Sequence, residues 1–526
     1  MGRVIFSRSL LAVLLVTTGF AAQPGMTSEQ RANQYLQALR QQPSLVLAFL
    51  REMPKGGDLH NHLAGAIYAE SWIRFASEDG LCVDRSTATL LPAPCDDSCD
   101  ATAKRPAVRC SSHDQALYNQ LIDAWSMRNW ERGHESGHDH FFATFDKFRA
   151  AGANHTGQSI AEAAQRAAAD HVQYLELMHT ADGMQAAQLG AKLGWMQEAS
   201  STREFSDDEF SAHDFAAMRE RLLSGGLPGL VVSTRQQLDK DEAEMRRTLS
   251  CDTSSPAAGC DVTVRYLYQV LRGLPSEDVF AQILLGFELA SADPRFAGLN
   301  LVMPEDWYVP MRDFDLHMRM LDYLHGIYPK VHISLHAGEL AFGMVPPEGL
   351  SFHIRESIEV GHAERIGHGV DVVHERDPLG LLREMANRNV LVEICLTSND
   401  VILGVKGGDH SLPVYRKYGV PVALATDDEG VSRSDMTHEY ERALETYNLS
   451  YLDLKRMARQ SLEHSFLPGA SLWADARQFR VVKACPSDAG RSVELTDRCR
   501  KFLESSEKAR QQWKLEEGFA KFEKKF

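Results

Sequence analysis

The sequence predicts an α/β fold: a (β/α)8 TIM barrel with an N-terminal helical extension and a disulfide-bearing insertion. Three observations carry this. Short apolar runs rich in β-branched and aromatic residues recur along the chain. Each is followed by helical sequence, and eight such units suit a closed barrel. Polar residues unusual in a strand sit at the C-terminal ends of several runs, where barrel enzymes keep their chemistry. A doubly wound open sheet is the alternative, and the placement of these polar residues favours the barrel. The composition agrees with a folded protein: 526 residues, 44% hydrophobic and 24% charged. The 56 Lys+Arg against 72 Asp+Glu leave a net charge of −16. That field repels phosphate, which argues against broad nucleic-acid or anionic-membrane binding.

Arg3 and Arg8 precede the apolar run Leu10–Val16 and the small residues to Ala22. This pattern predicts a secretory signal over residues 1–22, cut near Ala21 or Ala22. The run is too short to span a bilayer, although an N-terminal anchor helix is the rival reading. The expected location is secreted or periplasmic, with no membrane contact after cleavage. Residues 23–52 follow as a helical extension, with apolar residues at helical spacing from Tyr35 to Leu50. The barrel takes residues 53–470, with an insertion at about 82–130. A cysteine loop and a charged helix, read as a solvated face, fill 471–526.

The expected strands are GGDLHNHL (56–63), VQYLELMHT (172–180), VTVRYLYQVL (262–271) and ILLGFELAS (283–291). VHISLHAGE (331–339), RIGHGVDVV (365–373), VLVEICLTS (390–398) and VPVALATDD (420–428) complete the set. Eight of the nine cysteines fall in three tight groups within polar segments and read as disulfides. Cys251–Cys260 and Cys485–Cys499 are the natural local pairs. Cys82, Cys95, Cys99 and Cys110 allow three connectivities. Cys395, in an apolar run, reads as a buried thiol. A structural zinc knuckle at Cys95–Cys99 lacks a second thiol pair at finger spacing.

His60 and His62 end the first run. Residues i and i+2 of a strand share a face, so both imidazoles point inward as a metal half-site. His336 ends the fifth run and can be a third nitrogen ligand. Gly338 lets the chain turn Glu339 back toward the site, as proton shuttling needs. His368 lies between Gly367 and Gly369, which make room for a ligand. Asp427 and Asp428 end the eighth run; one carboxylate can bind metal and the other can hydrogen-bond substrate. Three His and one Asp suit one Zn2+ per chain, which lowers the pKa of a bound water from about 15.7 toward ~7.

Met53-Pro54-Lys55-Gly56-Gly57, Leu59-His60-Asn61-His62, His336-Ala337-Gly338-Glu339, Arg365-Ile366-Gly367-His368-Gly369 and Thr426-Asp427-Asp428 together resemble the adenosine deaminase family of metal-dependent amidohydrolases. Gly286–Leu289 and Phe141–Phe148 are weaker matches. The MPKGG lead, the signal, the extension and the cysteine insertion are similar to the secreted branch, the adenosine deaminase-related growth factors. The resemblance implies hydrolytic deamination of adenosine or 2′-deoxyadenosine to inosine or 2′-deoxyinosine and ammonia, by hydroxide attack at purine C6. It implies that His60, His62, His336 and Asp427 hold zinc. It further implies that Glu339 protonates N1, that His368 takes the water's proton and steers hydroxide, and that Asp428 bonds N7. Two positions depart from the pattern. Ala64 stands where an Asp contacts ribose in the classical enzymes. Glu288-Leu289-Ala290-Ser291 stands for the fourth-strand Asp-Leu-x-Gly, leaving Ser291 to reach the purine through its backbone.

The partner is then a small purine nucleoside; adenine, AMP or an N6-modified adenosine is the alternative substrate, and a homodimer stays open. A dipeptidase-like two-metal site needs a strand-four lysine that ILLGFELAS lacks. The cytidine-deaminase design needs HxE with PCxxC, whereas Pro94-Cys95 begins a CxxxC. A secreted binding or signalling protein on the same barrel should have lost a ligand or catalytic residue, and none is missing.

Overall fold

The computed structural model describes residues 25–96, 98–195, 210–486 and 495–526. The expected signal and its cleavage point lie outside the described residues. Eight parallel strands form one sheet, each paired with the next in chain order. They are β1 (Gly56–His62), β2 (Val172–His179), β3 (Thr263–Leu271) and β4 (Phe296–Val302). β5 (His332–Ala337), β6 (Arg365–His368), β7 (Leu391–Ile394) and β8 (Val422–Leu424) follow. An isolated parallel bridge between Asn61 and Asp427 joins the last strand to the first. Asp427 N–H donates to the His60 carbonyl (2.8 Å), and His62 N–H donates to the Asp427 carbonyl (3.0 Å). This bridge brings the two ends of the sheet together into a nearly closed barrel.

Seven of the eight expected runs contain the barrel strands. The fourth does not. ILLGFELAS lies inside the helix Ser276–Ala292, and the fourth strand is Phe296–Val302, FAGLNLV. The physical reason is burial. This helix is buried from Asp278 to Phe287 without a break, packed against the barrel and the outer helices. A helix covered all round loses the polar stripe that marks its period, so its sequence reads like a buried strand. Ser291 therefore sits exposed near the helix's C-terminal end. Glu288 accepts from Tyr328 Oη (2.5 Å), in a pairing made by two outer helices.

The N-terminal extension is two helices, Ser28–Leu39 and Pro43–Glu52, broken where Pro43 takes the first helical position. Lys55 follows and is fully buried. Its Nζ donates to the carbonyls of Leu50 (2.7 Å), Asp170 (2.8 Å) and Met53 (3.1 Å). It ties the extension to the N-terminal end of the barrel, and burial lowers its pKa to about 8. The tail helix Glu507–Glu523 is not a solvated face as expected. Trp513, Leu515, Phe519 and Phe522 are buried in it. Phe522 packs on Phe49 (4.9 Å between ring centroids), and Glu516 takes both arms of Arg459 at 2.7 Å. Its charge alternation serves pairing with neighbouring helices.

The cysteine insertion folds as a hairpin, Cys82–Asp84 with Thr89–Leu91, and the helix Gln115–Ala124. Its connectivity is Cys82–Cys95 and Cys99–Cys110, and Cys251–Cys260 and Cys485–Cys499 pair locally as expected. Cys95 and Cys99 are thereby committed to disulfides, not to a zinc knuckle. Cys395 is a buried free thiol. The insertion's core (Val83, Leu90, Leu121, Trp125) is continuous with Ile67, Ile402 and Val431, which follow β1, β7 and β8. It therefore caps the C-terminal mouth of the barrel. The 183–260 segment supplies the outer helices Gln185–Leu193, Ala212–Gly225 and Leu227–Thr248. No helix among the described residues is long and apolar enough to cross a membrane.

Replacing Lys55 by Met should cost about 3 kcal/mol, because three buried carbonyls lose a charged donor. Urea unfolding followed by circular dichroism measures this. An unchanged midpoint would show that the lysine does not hold the extension to the barrel.

Candidate active site and metal centre

The C-terminal ends of β1, β5, β6 and β8 converge under the insertion. His60 Nε2 and His62 Nε2 lie 3.4 and 3.3 Å from Asp427 Oδ1. His62 Nε2 lies 3.2 Å from His336 Nε2. Metal–ligand bonds of about 2.0–2.1 Å in a tetrahedron give donor–donor edges of about 3.3 Å. The three separations match those edges.

The hydrogen bonds behind the rings turn the lone pairs inward. His60 Nδ1–H donates to Glu393 Oε2 (2.7 Å), His62 Nδ1–H to Gln269 Oε1 (2.8 Å) and His336 Nδ1–H to Asn300 Oδ1 (2.7 Å). A neutral imidazole has one N–H, so each Nε2 faces the centre as an acceptor. His60 Nε2 is buried with no hydrogen-bond donor. Burial opposes charging His60, yet Asp427 and Glu393 raise it to about 10. Two carboxylates thus call for positive charge here. Burial, then the neighbouring imidazoles, push His336 far down, which keeps it a neutral ligand. The donor set and its spacing fit a small divalent cation. His368 Nε2 is also near, in a wider group with His60, His336 and Asp427 within 4.8 Å; His62, Asp427 and Asp428 form another.

The three acidic groups are driven apart. Despite burial, the His60 and His62 rings beside it hold Asp427 far below the usual range. Burial and then Asp427 raise Asp428 to about 8. Burial, then Asp427 and Glu305, push the Glu339 carboxyl well above the usual carboxylate range. Such a split assigns a ligand and a proton donor to the same pocket. Asp427 sits at φ +61°, a left-handed conformation costly for a non-glycine residue. That bend lets Asp427 and Asp428 both face the pocket. Gly367 and Gly65 are required for space: a Cβ at Gly367 would lie 2.5 Å from His60 Cε1, and one at Gly65 would overlap Asp428 Oδ1.

The structure brings together His60, His62, His336, His368, Glu339, Asp427 and Asp428. It does not bring Ser291. Several residues escaped the sequence reading. Arg365 ion-pairs at 2.6 Å with both Glu176 and Glu393 in the barrel interior. Glu305 accepts from Gly338 N (3.0 Å) and Glu339 N (3.1 Å), clamping the turn that carries Glu339. Arg272, fully buried, lies 3.6 Å from Glu305. Glu393 could have been found as a carboxylate inside VLVEICL. Asn300 and Glu305 were hidden by the misplaced fourth strand. At the mouth, His138 on the helix Gly137–Phe148 reaches Asp306 (3.0 Å), and Phe142 lies 6.5 Å from Trp307 between ring centroids. The aromatic stretch therefore lies beside the loop after β4.

Residues 228–472 match the family model described as adenosine deaminase. The matched span holds His336, Glu339, His368, Asp427 and Asp428 but not the β1 histidines. An adenosine deaminase of Clostridium perfringens (strain 13 / Type A) is 34% identical over 135 residues, 26% of this chain and 37% of that protein. One of Salmonella heidelberg (strain SL476) is 39% identical over 137 residues, again 26% of this chain and 38% of that protein. The alignments thus span less than two fifths of these curated relatives. In fold, the chain is similar to arabidopsis ADAL complexed with IMP, with a TM-score of 0.50 at 18% identity over 82% of this chain and 95% of that one. The matched span carries five of the seven clustered site residues, and over it the chain is similar to the adenosine deaminase family.

Proposed function

We propose that this protein is a zinc-dependent hydrolase that deaminates adenosine or 2′-deoxyadenosine to inosine or 2′-deoxyinosine and ammonia. The observation that carries the reading is a three-histidine, one-aspartate donor set with separations of tetrahedral size, with the Glu339 carboxyl in the same pocket, 3.7 Å from His368 Nε2. His60, His62, His336 and Asp427 would hold the metal. When bound, zinc supplies a water acidified to near-neutral pKa.

The residues do the rest. Glu339 gives its proton to ring N1, which leaves C6 electron-poor and open to attack by water. Asp428, raised to about 8, is protonated at neutral pH and can donate to N7. His368 turns Nε2 toward the same space, 3.7 Å from Glu339 Oε1, where it meets the attacking water. Glu305 holds the Gly338–Glu339 backbone so that the Glu339 side chain returns to the pocket. Glu339, ionised by giving its proton to N1, takes one proton from the water that attacks C6; the hydroxyl proton of the tetrahedral adduct then passes to the amino group, the C6–N bond breaks and ammonia leaves.

Ala64 is exposed and offers ribose no hydrogen bond. This favours a second reading of substrate, in which another aminopurine (adenine, AMP or an N6-modified adenosine) is the better one. The four disulfides and the basic, apolar N-terminus support export.

Purified mature protein should shift adenosine absorbance toward inosine, and a zinc chelator should abolish the shift. Metal-loaded protein that turns over none of adenosine, adenine, AMP or N6-methyladenosine would sink the deaminase reading. Glu339→Gln should keep its metal by elemental analysis and lose about 1,000-fold or more in kcat, because the proton donor is gone. Near-normal kcat in that variant would remove Glu339 from the reaction. His336→Ala should lose metal and activity together; a fully metallated, active variant would mean that another residue completes the donor set.

A further inference from the structure

His368 differs from the other three histidines in what stands behind it. Its Nδ1 faces an amide nitrogen, Asn399 Nδ2, at 3.0 Å. On the other side, Asn399 Oδ1 faces His410 Nε2, also at 3.0 Å. His410 Nδ1 lies 3.0 Å from the backbone nitrogen of Leu412, at the start of the helix Leu412–Tyr418. All three side chains are buried: His368 and Asn399 fully, His410 at 2% exposure.

The backbone end of this chain fixes the polarity of the rest. A peptide N–H can only donate, so His410 Nδ1 accepts. A neutral imidazole has one N–H, so His410 carries it on Nε2 and donates to Asn399 Oδ1. That orients the Asn399 amide, whose Nδ2–H donates to His368 Nδ1. With Nδ1 occupied as an acceptor, the His368 proton is on Nε2, the atom that faces the reaction space. Flipping the amide would break two hydrogen bonds at once between buried groups.

We infer that Asn399 and His410 are positioning residues that lock His368 as the Nε2–H tautomer, so that His368 donates a hydrogen bond to the attacking water and does not accept its proton. The kinetic part of this inference rests on the deaminase reading; the tautomer itself does not. The inference accounts for two facts. His368 Nε2 belongs to a four-residue group within metal-binding reach, yet a protonated nitrogen cannot be a ligand. The same Nε2 is buried with no partner in the protein, so its proton is free for a ligand oxygen. A donor there steers the water and stabilises negative charge building on its oxygen. The water's own proton then goes to Glu339, which giving its proton to N1 has left ionised and which lies 3.7 Å from His368 Nε2.

Nitrogen-15 NMR of histidine-labelled, zinc-loaded protein reads the tautomer directly, with His368→Gln identifying the signal. The expected pattern is a protonated Nε2 and an unprotonated, acceptor-type Nδ1. A protonated Nδ1 in the native protein overturns the inference, whether or not the protein deaminates anything. Asn399→Asp keeps the size but can only accept, so His368 should switch to Nδ1–H. In that variant kcat should fall about 100-fold or more while KM stays within about threefold and zinc content holds. A switched tautomer with unchanged kcat would overturn the donor role. His410→Gln keeps an N–H for Asn399, and should exceed His410→Leu in kcat by about 10-fold. Equal loss in both would reduce His410 to packing. If wild-type protein turns over no aminopurine while the NMR pattern holds, the deaminase reading fails and the tautomer lock stands.

Discussion

The Nε2 atoms of His60, His62 and His336 and Asp427 Oδ1 gather at one point, with His60 and His62 3.4 and 3.3 Å from Asp427 and His62 3.2 Å from His336. His62 Nε2 and His336 Nε2 are both acceptors at 3.2 Å and repel unless positive charge lies between them. Most of the barrel interior answers to this demand. Glu393, Gln269 and Asn300 hold the rings by Nδ1. Glu393 would be an unpaired buried charge without Arg365, and Arg365 in turn binds Glu176. Glu176 is anchored by the Phe466 N–H (2.7 Å) and Tyr174 Oη (2.7 Å). Charge at the mouth is thus relayed to the middle of the barrel through fully paired groups, as low dielectric requires.

The sequence made the first shell readable because its spacing is local. HxH at i and i+2, HAGE and GHG announce themselves within a few residues, and the order of the strands does the remaining work. What was not readable is the layer behind. Asn399 and His410 look like ordinary loop polar residues, and only their contact with His368 gives them meaning. Asn300 lies in a strand whose other residues are apolar, and Gln269 is one polar residue among several in a strand that also carries Thr263 and Arg265. The fourth strand was misplaced because a helix buried on all sides shows no helical period, whereas FAGLNLV is short and carries a glycine. That single shift sent Ser291 to the wrong place and hid Glu305. The tail erred the other way: one face of it is buried, where Glu516 and Glu523 pair with Arg459 and Lys455, while Arg510, Lys514 and Lys521 stay exposed.

The left-handed turns have a common purpose. His368 (φ +67°), Asp427 (φ +61°) and Gly338 (φ +74°) each end a strand or begin the turn after it. A strand left to run on would send alternate side chains to opposite faces. Reversing the backbone at these points gathers consecutive polar groups on one side. Two of the three are not glycine, so the local strain is held by the packing around them.

Asp427 contributes twice. Its side chain belongs to the donor set, and its backbone makes both hydrogen bonds that join β8 to β1. Any cation gripped by His60, His62 and Asp427 therefore also rivets the first strand to the last. During synthesis, β1 leaves the ribosome early and must wait for almost the whole barrel before its partner emerges. Until then neither the seam nor the ion pocket exists. A chain ending before Asp427 would lack both this seam and one member of the donor set.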